Sequence, residues 1–365
     1  MHHLNQTVRP SARDPYAVRD YADLADFYRR SPELTATPLR ALPAFARTLG
    51  IDGLHVKDES SRFGLNAFKS LGVRYAMDRL RRNGQLADNA TLACASAGNH
   101  GRAVARAARD LGLAARVYMS NTSSQAPRLA IGSEGAEVVV VDGTYDEAVR
   151  RMAADAKAHG WTIVSDTSWE GYDEIPWLIM LGYTRIVAEC RSQLGEAPDV
   201  VFAQSGVGGL LCGIAAGLAH EWPEQRPFLV SCEPSTAACL LASARAGHAT
   251  TIGGSIDTIM AGLGCAAMSP AAWPVIRDLV DVFVAIDDEQ TIAAMRTLAR
   301  PMPDDPAIEA GPSGACGFAS LIAVMRDSSL RPVRDALGLG SSSRVVVINT
   351  EGATDRDLYD RVVGS

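Results

Sequence analysis

The sequence predicts an α/β protein in which open, mostly parallel sheets are flanked by helices. Three observations predict it. Continuous Val/Ile-rich segments alternate with helical patterns along most of the 365 residues, as expected of strands covered on both faces. The connections between them are short. Four loops of unusual composition, 96–101, 166–172, 205–209 and 350–352, each follow a predicted strand, where open parallel sheets bind their ligands.

Taken in order, residues 1–35 are polar and Arg-rich, with a helical pattern near 21–30. They read as an arm on a partner subunit or as a frayed terminus. A helix over 41–49, stopped by Gly50, precedes a strand over 53–58. In the next stretch Leu71, Tyr75 and Leu80, with Ala76 and Met77, fall near helical spacing, and Asn66 is the expected N-cap. Strands over 91–95, 115–119, 137–141 and 162–165 then alternate with helices running from 102 to Gly112, around 127–133, over 145–159, and over 176–194 with Pro176 in the first turn. Strands over 199–204, 228–233 and 344–349 carry the second half, with helices over 210–220, 236–246, 271–279, 289–298 and 313–326. No Pro/Gly/Ser-rich linker divides the chain, so two lobes would be woven from it by a double crossing.

Composition excludes several functions. A net charge of −7 and a pI near 5.6 argue against a nucleic-acid surface. No apolar run is long enough to span a membrane, and the first residues lack a signal pattern, so a cytoplasmic protein is expected. The seven cysteines, Cys94, Cys190, Cys212, Cys232, Cys239, Cys265 and Cys316, lie in apolar or Ala/Gly-rich settings. They read as buried thiols in a reducing compartment, forming neither disulfides nor a metal site.

The loops carry the chemistry. Lys69 falls three residues inside the predicted helix, where a cation opposes the helix dipole. It is either a solvated surface lysine or an amine whose charged form is disfavoured so that it can attack a carbonyl. Gly206, Val207, Gly208 and Gly209 open a helix after a strand, a pattern that lets backbone N–H groups approach a phosphate. It is not a dinucleotide fingerprint, because Leu211 stands where the third glycine is needed. Ser96 and its neighbours could hold a carboxylate, Asn99 a phenolic or carbonyl oxygen, and His100 could act as a base or, in the preferred reading, orient the loop. Asp166, beside Trp169 and Tyr172, would have its pKa raised by burial and suit proton transfer, unless it caps a turn. Glu233 before Pro234 reads as structural. The Thr350 hydroxyl, after a buried strand, needs a partner that a ring nitrogen would satisfy. Lysine, phosphate cup, Asn99 and Thr350 together form the set that holds pyridoxal phosphate. An uncharged Thr350 would leave the ring nitrogen unprotonated and favour β-elimination over transamination.

The run Arg62-Phe63-Gly64-Leu65-Asn66-Ala67-Phe68-Lys69-Ser70-Leu71-Gly72 resembles the lysine segment of the diaminopropionate ammonia-lyases. These belong to the fold type II, tryptophan synthase β-like, pyridoxal phosphate enzymes. Lys57-Asp58-Glu59-Ser60, Gly98-Asn99-His100-Gly101-Arg102, the stretch from Asp166 to Tyr172, Gly206-Val207-Gly208, Ile259-Met260-Ala261-Gly262-Leu263, Ser313-Gly314-Ala315 and Thr350-Glu351-Gly352 are similar in the same order. The resemblance implies a homodimer of two-lobed chains. Each chain would have a large cofactor-binding domain from 1–70 and 190–365 and a small one from 71–189, with the cofactor in the cleft. It implies Lys69 and Asp166 as catalytic residues. It makes Phe68, Lys69, Asn99, Gly206, Val207, Gly208, Gly209 and Thr350 cofactor-binding, and Ser96, Ala97 and His100 substrate-binding.

Two segments depart from the family. Ser96-Ala97-Gly98-Asn99-His100 stands where the family has Thr-Asp-Gly-Asn-His, so the acid expected to take the α-proton of a D-isomer is absent. This loop resembles that of serine and threonine dehydratases. Gly311-Pro312-Ser313-Gly314 replaces Gly-Glu-Ser-Gly. The expected activity is ammonia elimination from 2,3-diaminopropionate. The alternatives are dehydration of a β-hydroxy amino acid and, from another class, a catalytically silent amino-acid-binding protein.

Overall fold

The Val- and Ile-rich segments pair into two separate sheets in the computed structural model, which describes residues 1–6, 14–123 and 125–364. Among the described residues the strands are β1 (His2–Leu4), β2 (Leu39–Ala41), β3 (Gly53–Asp58), β4 (Thr91–Ala95), β5 (Ala114–Ser120), β6 (Glu137–Val141), β7 (Thr162–Ile163), β8 (Val200–Gln204), β9 (Phe228–Pro234), β10 (Val282–Ile286) and β11 (Arg344–Asn349). The larger sheet has the order β1-β10-β9-β8-β11-β3-β2, the smaller β6-β5-β4-β7. All pairs are parallel except the two edges, β1 on β10 and β2 on β3. Central strands such as β8 are buried throughout, which is why they read as unbroken apolar runs rather than alternating ones.

Several boundaries differ from the sequence reading. β10 was not anticipated; Val282-Phe283-Val284-Ala285-Ile286 is a short apolar run that periodicity alone does not assign. Residues 2–4 form an edge strand of the chain's own large sheet, with the Met1 ammonium on Ala285 O at 3.0 Å, rather than a frayed end. Residues 7–13 of the predicted arm lie outside the described residues. The helix predicted over 176–194 is two, Glu174–Tyr183 and Arg185–Leu194, joined at Thr184, whose hydroxyl donates to Leu181 O at 2.7 Å.

The largest correction concerns the lysine segment. Asn66 is not an N-cap. The helix starts at Ser70, with Lys69 at the N-cap position, and Asn66 adopts a left-handed φ of 57°. Phe63 is left-handed as well, at φ 50°. For a residue with a side chain this conformation costs about 1–2 kcal/mol, so the turn is held by its surroundings rather than by propensity. On one side the segment is laced to the end of β11. Phe68 N donates to Thr350 O at 3.2 Å, Gly352 N donates to Asn66 O at 3.0 Å, and Ala67 bridges Glu351. On the other side, the helix Ser70–Arg82 lies against Glu174–Tyr183 at very short range. A Cβ on Gly72 would stand 2.5 Å from Ile179 O, and one on Gly182 would stand 2.7 Å from the Gly72 Cα. Only glycine permits that approach, and it seats the start of the lysine helix between the two sheets.

Behind the loop lies a fully buried ionic cluster. Lys57, Glu59, Arg62 and Glu189 are all 2% exposed or less. Arg62 reaches Glu59 and Glu189, each at 2.7 Å, and Lys57 reaches Glu189 at 2.7 Å. Each of the four charges therefore has an opposite charge at hydrogen-bond distance, as buried ions require.

Candidate active site

The four unusual loops converge at the carboxyl ends of β4, β7, β8 and β11. Lys69 Nζ lies 2.5 Å from Asp166 Oδ2, beyond β7. His100, in the first turn of the helix Asn99–Leu111, places Nδ1 3.6 Å from the same oxygen and holds Val164 O through Nε2 at 2.8 Å. The Lys69 ammonium stands 5.3 Å from the Phe68 ring centroid, and Phe68 packs edge-on against Tyr183 at 4.8 Å.

These contacts reverse one expectation. Burial pushes the Asp166 carboxyl up, but the charges of His100 and Lys69 and the Lys69 hydrogen bond outweigh it. The group lies well below the usual carboxylate range rather than above it. Burial likewise pushes the Lys69 amine down, yet Asp166 more than compensates, so the ammonium is favoured here rather than disfavoured. The pair is therefore an ion pair, with the proton on Lys69 Nζ and the Asp166 carboxylate holding it there.

The glycine loop has the form of an anion cradle. Gly208 takes a φ of 93°, and the helix Gly209–Glu221 begins directly after it. Among the described residues, the N–H groups of Gly206, Val207, Gly208 and Gly209 find no protein acceptor, leaving them free at the positive end of a helix. A Cβ on Gly206 would press on Gly262 O at 3.1 Å and Cys265 Sγ at 3.2 Å. The loop is braced from outside by Ser269 N on Val207 O at 2.8 Å and by Ser168, whose hydroxyl shares a 2.9 Å bond with that of Ser269.

Thr350 is positioned by a residue the sequence reading passed over. Gln204 Nε2 donates to Ser313 O at 2.9 Å and Gly314 O at 3.2 Å. Backbone carbonyls only accept, so this amide's orientation is fixed. Its bond to Thr350 Oγ1 at 2.7 Å therefore makes the hydroxyl an acceptor there and leaves the Thr350 proton to be donated elsewhere. Glu351 is a second such residue. It is buried, and its Oε2 accepts from Asn99 Nδ2 at 2.5 Å while Oε1 accepts from Ser313 N at 3.2 Å. Burial raises the Glu351 carboxyl, the Ser313 and Asn99 contacts opposing it. The available signal was a polar residue ending or following an apolar strand, as Gln204 and Glu351 both do. Ser96 and Ala97 lie on the turn before Asn99. The Ser96 hydroxyl accepts from Gly98 N at 3.3 Å, and Ala97 is exposed. Glu233 is structural as expected; it accepts from Leu240 N and Leu241 N, each at 2.8 Å, and burial pushes its carboxyl up to about 8.

An amine, a ring of free backbone N–H groups, a hydroxyl obliged to donate and a carboxylate-oriented amide are the donor set that pyridoxal phosphate requires, and the residues present fit it. Fold and site together define a pyridoxal phosphate enzyme of fold type II. The sequence pattern of the family described as "pyridoxal-phosphate dependent enzyme" matches residues 30–351, and the chain belongs to that family. Within it, the chain is similar to diaminopropionate ammonia-lyase of Escherichia coli K12, 37% identical over 368 residues, covering 96% of this chain and 92% of that one. The Salmonella typhimurium ammonia-lyase is 36% identical, covering 92% and 90%. The crystal structure of the Escherichia coli enzyme in complex with an aminoacrylate-PLP azomethine reaction intermediate superposes with a TM-score of 0.92 at 35% identity, covering 100% of this chain and 96% of that one.

Proposed function

We propose that the protein is an ammonia-lyase that removes the β-amino group of L-2,3-diaminopropionate, giving pyruvate and two molecules of ammonia. The observation that carries the mechanism is the Lys69–Asp166 pair, at 2.5 Å, set beside the glycine cradle. Lys69 would hold the aldehyde of pyridoxal phosphate, the N–H groups of residues 206–209 its phosphate, Asn99 the ring oxygen and Thr350 the ring nitrogen, with Phe68 packed beside Lys69. When bound, the cofactor withdraws electrons from the substrate and acidifies its Cα–H bond.

The protein's residues supply the rest. Once the substrate amine has displaced Lys69, Nζ takes the Cα proton. The electron pair forms the Cα–Cβ double bond as the Cβ–N bond breaks. The proton held between Lys69 Nζ and Asp166 Oδ2 passes to the departing nitrogen, directly or through a water that Asp166 orders. His100, tied to Val164 O, keeps the carboxylate facing the amine. Water then converts the eliminated product to pyruvate and the second ammonia.

We propose that the chain works as a homodimer in the cytoplasm. Its cysteines are all free, which suits a reducing compartment, and no helix among the described residues is long and apolar enough to cross a membrane. The exposed Ala97 supports a preference for the L-isomer. The test is a panel of L- and D-diaminopropionate, serine and threonine, scored for ammonia released per 2-oxo acid. Two ammonia per pyruvate from L-diaminopropionate is expected; turnover of serine or threonine with none of diaminopropionate overturns the assignment.

A further inference from the structure

The turn that delivers Lys69 is gripped by the helix that carries Asn99 and His100. Phe63 and Asn66 hold left-handed backbone that residues with side chains rarely adopt. Two guanidiniums lie over the Phe63 ring, that of Arg62 at 5.3 Å and that of Arg74 at 5.5 Å from its centroid. The carbonyls of the turn go to the small-sheet side. Arg106 Nη1 donates to Phe63 O at 3.1 Å and Arg102 Nη1 to Leu65 O at 3.2 Å.

Both arginines lie on the helix Asn99–Leu111, and one carboxylate aligns them. Arg102 Nε reaches Glu134 Oε1 at 3.2 Å, and Arg106 Nε reaches Oε2 at 2.8 Å. Arg109 adds a third guanidinium at 3.1 Å, and Glu134 is 4% exposed. Arg102 and Arg106 each spend Nε on Glu134 and present Nη1 to a carbonyl, a division that the planar fork permits and a lysine's single ammonium does not. The same helix begins with Asn99 and His100, and His100 faces Asp166. The arginines thus tie the backbone before Lys69 to the helix whose His100 faces the carboxylate that Lys69 meets.

We propose that Arg102 and Arg106, aligned by Glu134, are positioning residues for Lys69. They hold the strained 63–66 turn and so set where the amine meets Asp166. This rests on Lys69 being the reacting amine, and the experiment separates the two claims. Arg106→Met, Arg106→Lys and Glu134→Gln holoenzymes are compared with wild type and with Lys69→Ala. The readouts are hydrogen exchange of the 62–69 peptide against the distant 228–234 peptide, the absorption band of the lysine-bound cofactor, and kcat and KM.

For Arg106→Met the expected result is faster exchange confined to 62–69, a shifted cofactor band, and kcat lowered about a hundredfold with KM little changed, the scale of an ångström's misplacement. Arg106→Lys should rescue only part of this, and Glu134→Gln should show the same pattern more weakly. Unchanged exchange at 62–69, or exchange raised equally in both peptides, overturns the proposal. Retention of the cofactor band in Lys69→Ala overturns instead the reading on which it rests.

Discussion

Lys57 and Lys69 lie twelve positions apart on either side of one loop, yet the fold treats them oppositely. Lys57 is fully buried, and its three ammonium protons go to three acceptors: Glu189 at 2.7 Å, Thr37 O at 2.8 Å and Gln193 at 3.2 Å. Glu189 is shared with Arg62 and with Arg185 at 2.9 Å. Lys69 is partly open and has one polar acceptor, Asp166, plus the face of Phe68. An ammonium with every proton placed is a structural pin. One held by a single carboxylate, with its other protons unplaced, is open to a ligand, and its amine can act as a nucleophile once deprotonated. The remaining lysine of the sequence, Lys157, is exposed on the helix Tyr145–His159.

The contrast can be broken from both sides. Lys69→Ala should lower kcat for diaminopropionate by at least about a thousandfold, measured by ammonia release. Asp166→Asn removes the proton-holding partner and should lower kcat by roughly 10²–10⁴-fold. Lys57→Met should do the reverse. It leaves the buried cluster one cation short and costs about 3–5 kcal/mol of stability in denaturant titration, with kcat of the folded protein nearly intact.

The pH dependence of stability sharpens the same comparison. Asp166 and Glu189 are both held below the ordinary carboxylate range, because opposite charges outweigh the effect of burial. An acid with a depressed folded-state pKa stabilises the fold above its unfolded value, near 4, and that contribution is lost as the pH falls through the folded value. Stability should therefore fall on acidification below about pH 4, and Asp166→Asn should narrow the difference between pH 7 and pH 3. The smallest effect is expected at Ala97. Ala97→Asp should add turnover of the D-isomer while changing that of the L-isomer by less than about threefold, because the residue is exposed.

Much of this fold was legible in the sequence because its central strands are buried on both faces and several of its helices end in glycine. β11 and the helix Tyr145–His159 have the limits that pattern and caps indicate. The special loops were legible because glycine, asparagine and a lone lysine sit where packing does not require them. The N-cap at Asn66 was not, since its local preference is overridden by contacts from residues 350–352 far along the chain. The direction of the Asp166 shift was missed for a similar reason. The local sequence offers aromatics, whereas the deciding charges come from Lys69 and His100. Gln204 acts on Ser313, 109 positions away, and Glu351 on Asn99, 252 positions away, which no local pattern reports.

The central claim is that Lys69, of three lysines, carries the cofactor. Borohydride reduction of the holoenzyme, followed by digestion and mass spectrometry, tests it most directly, because reduction fixes the cofactor to the amine that bears it. The account predicts a phosphopyridoxyl group on Lys69 alone. A label on Lys57 or Lys157, or no label in a preparation that turns over diaminopropionate, would contradict it.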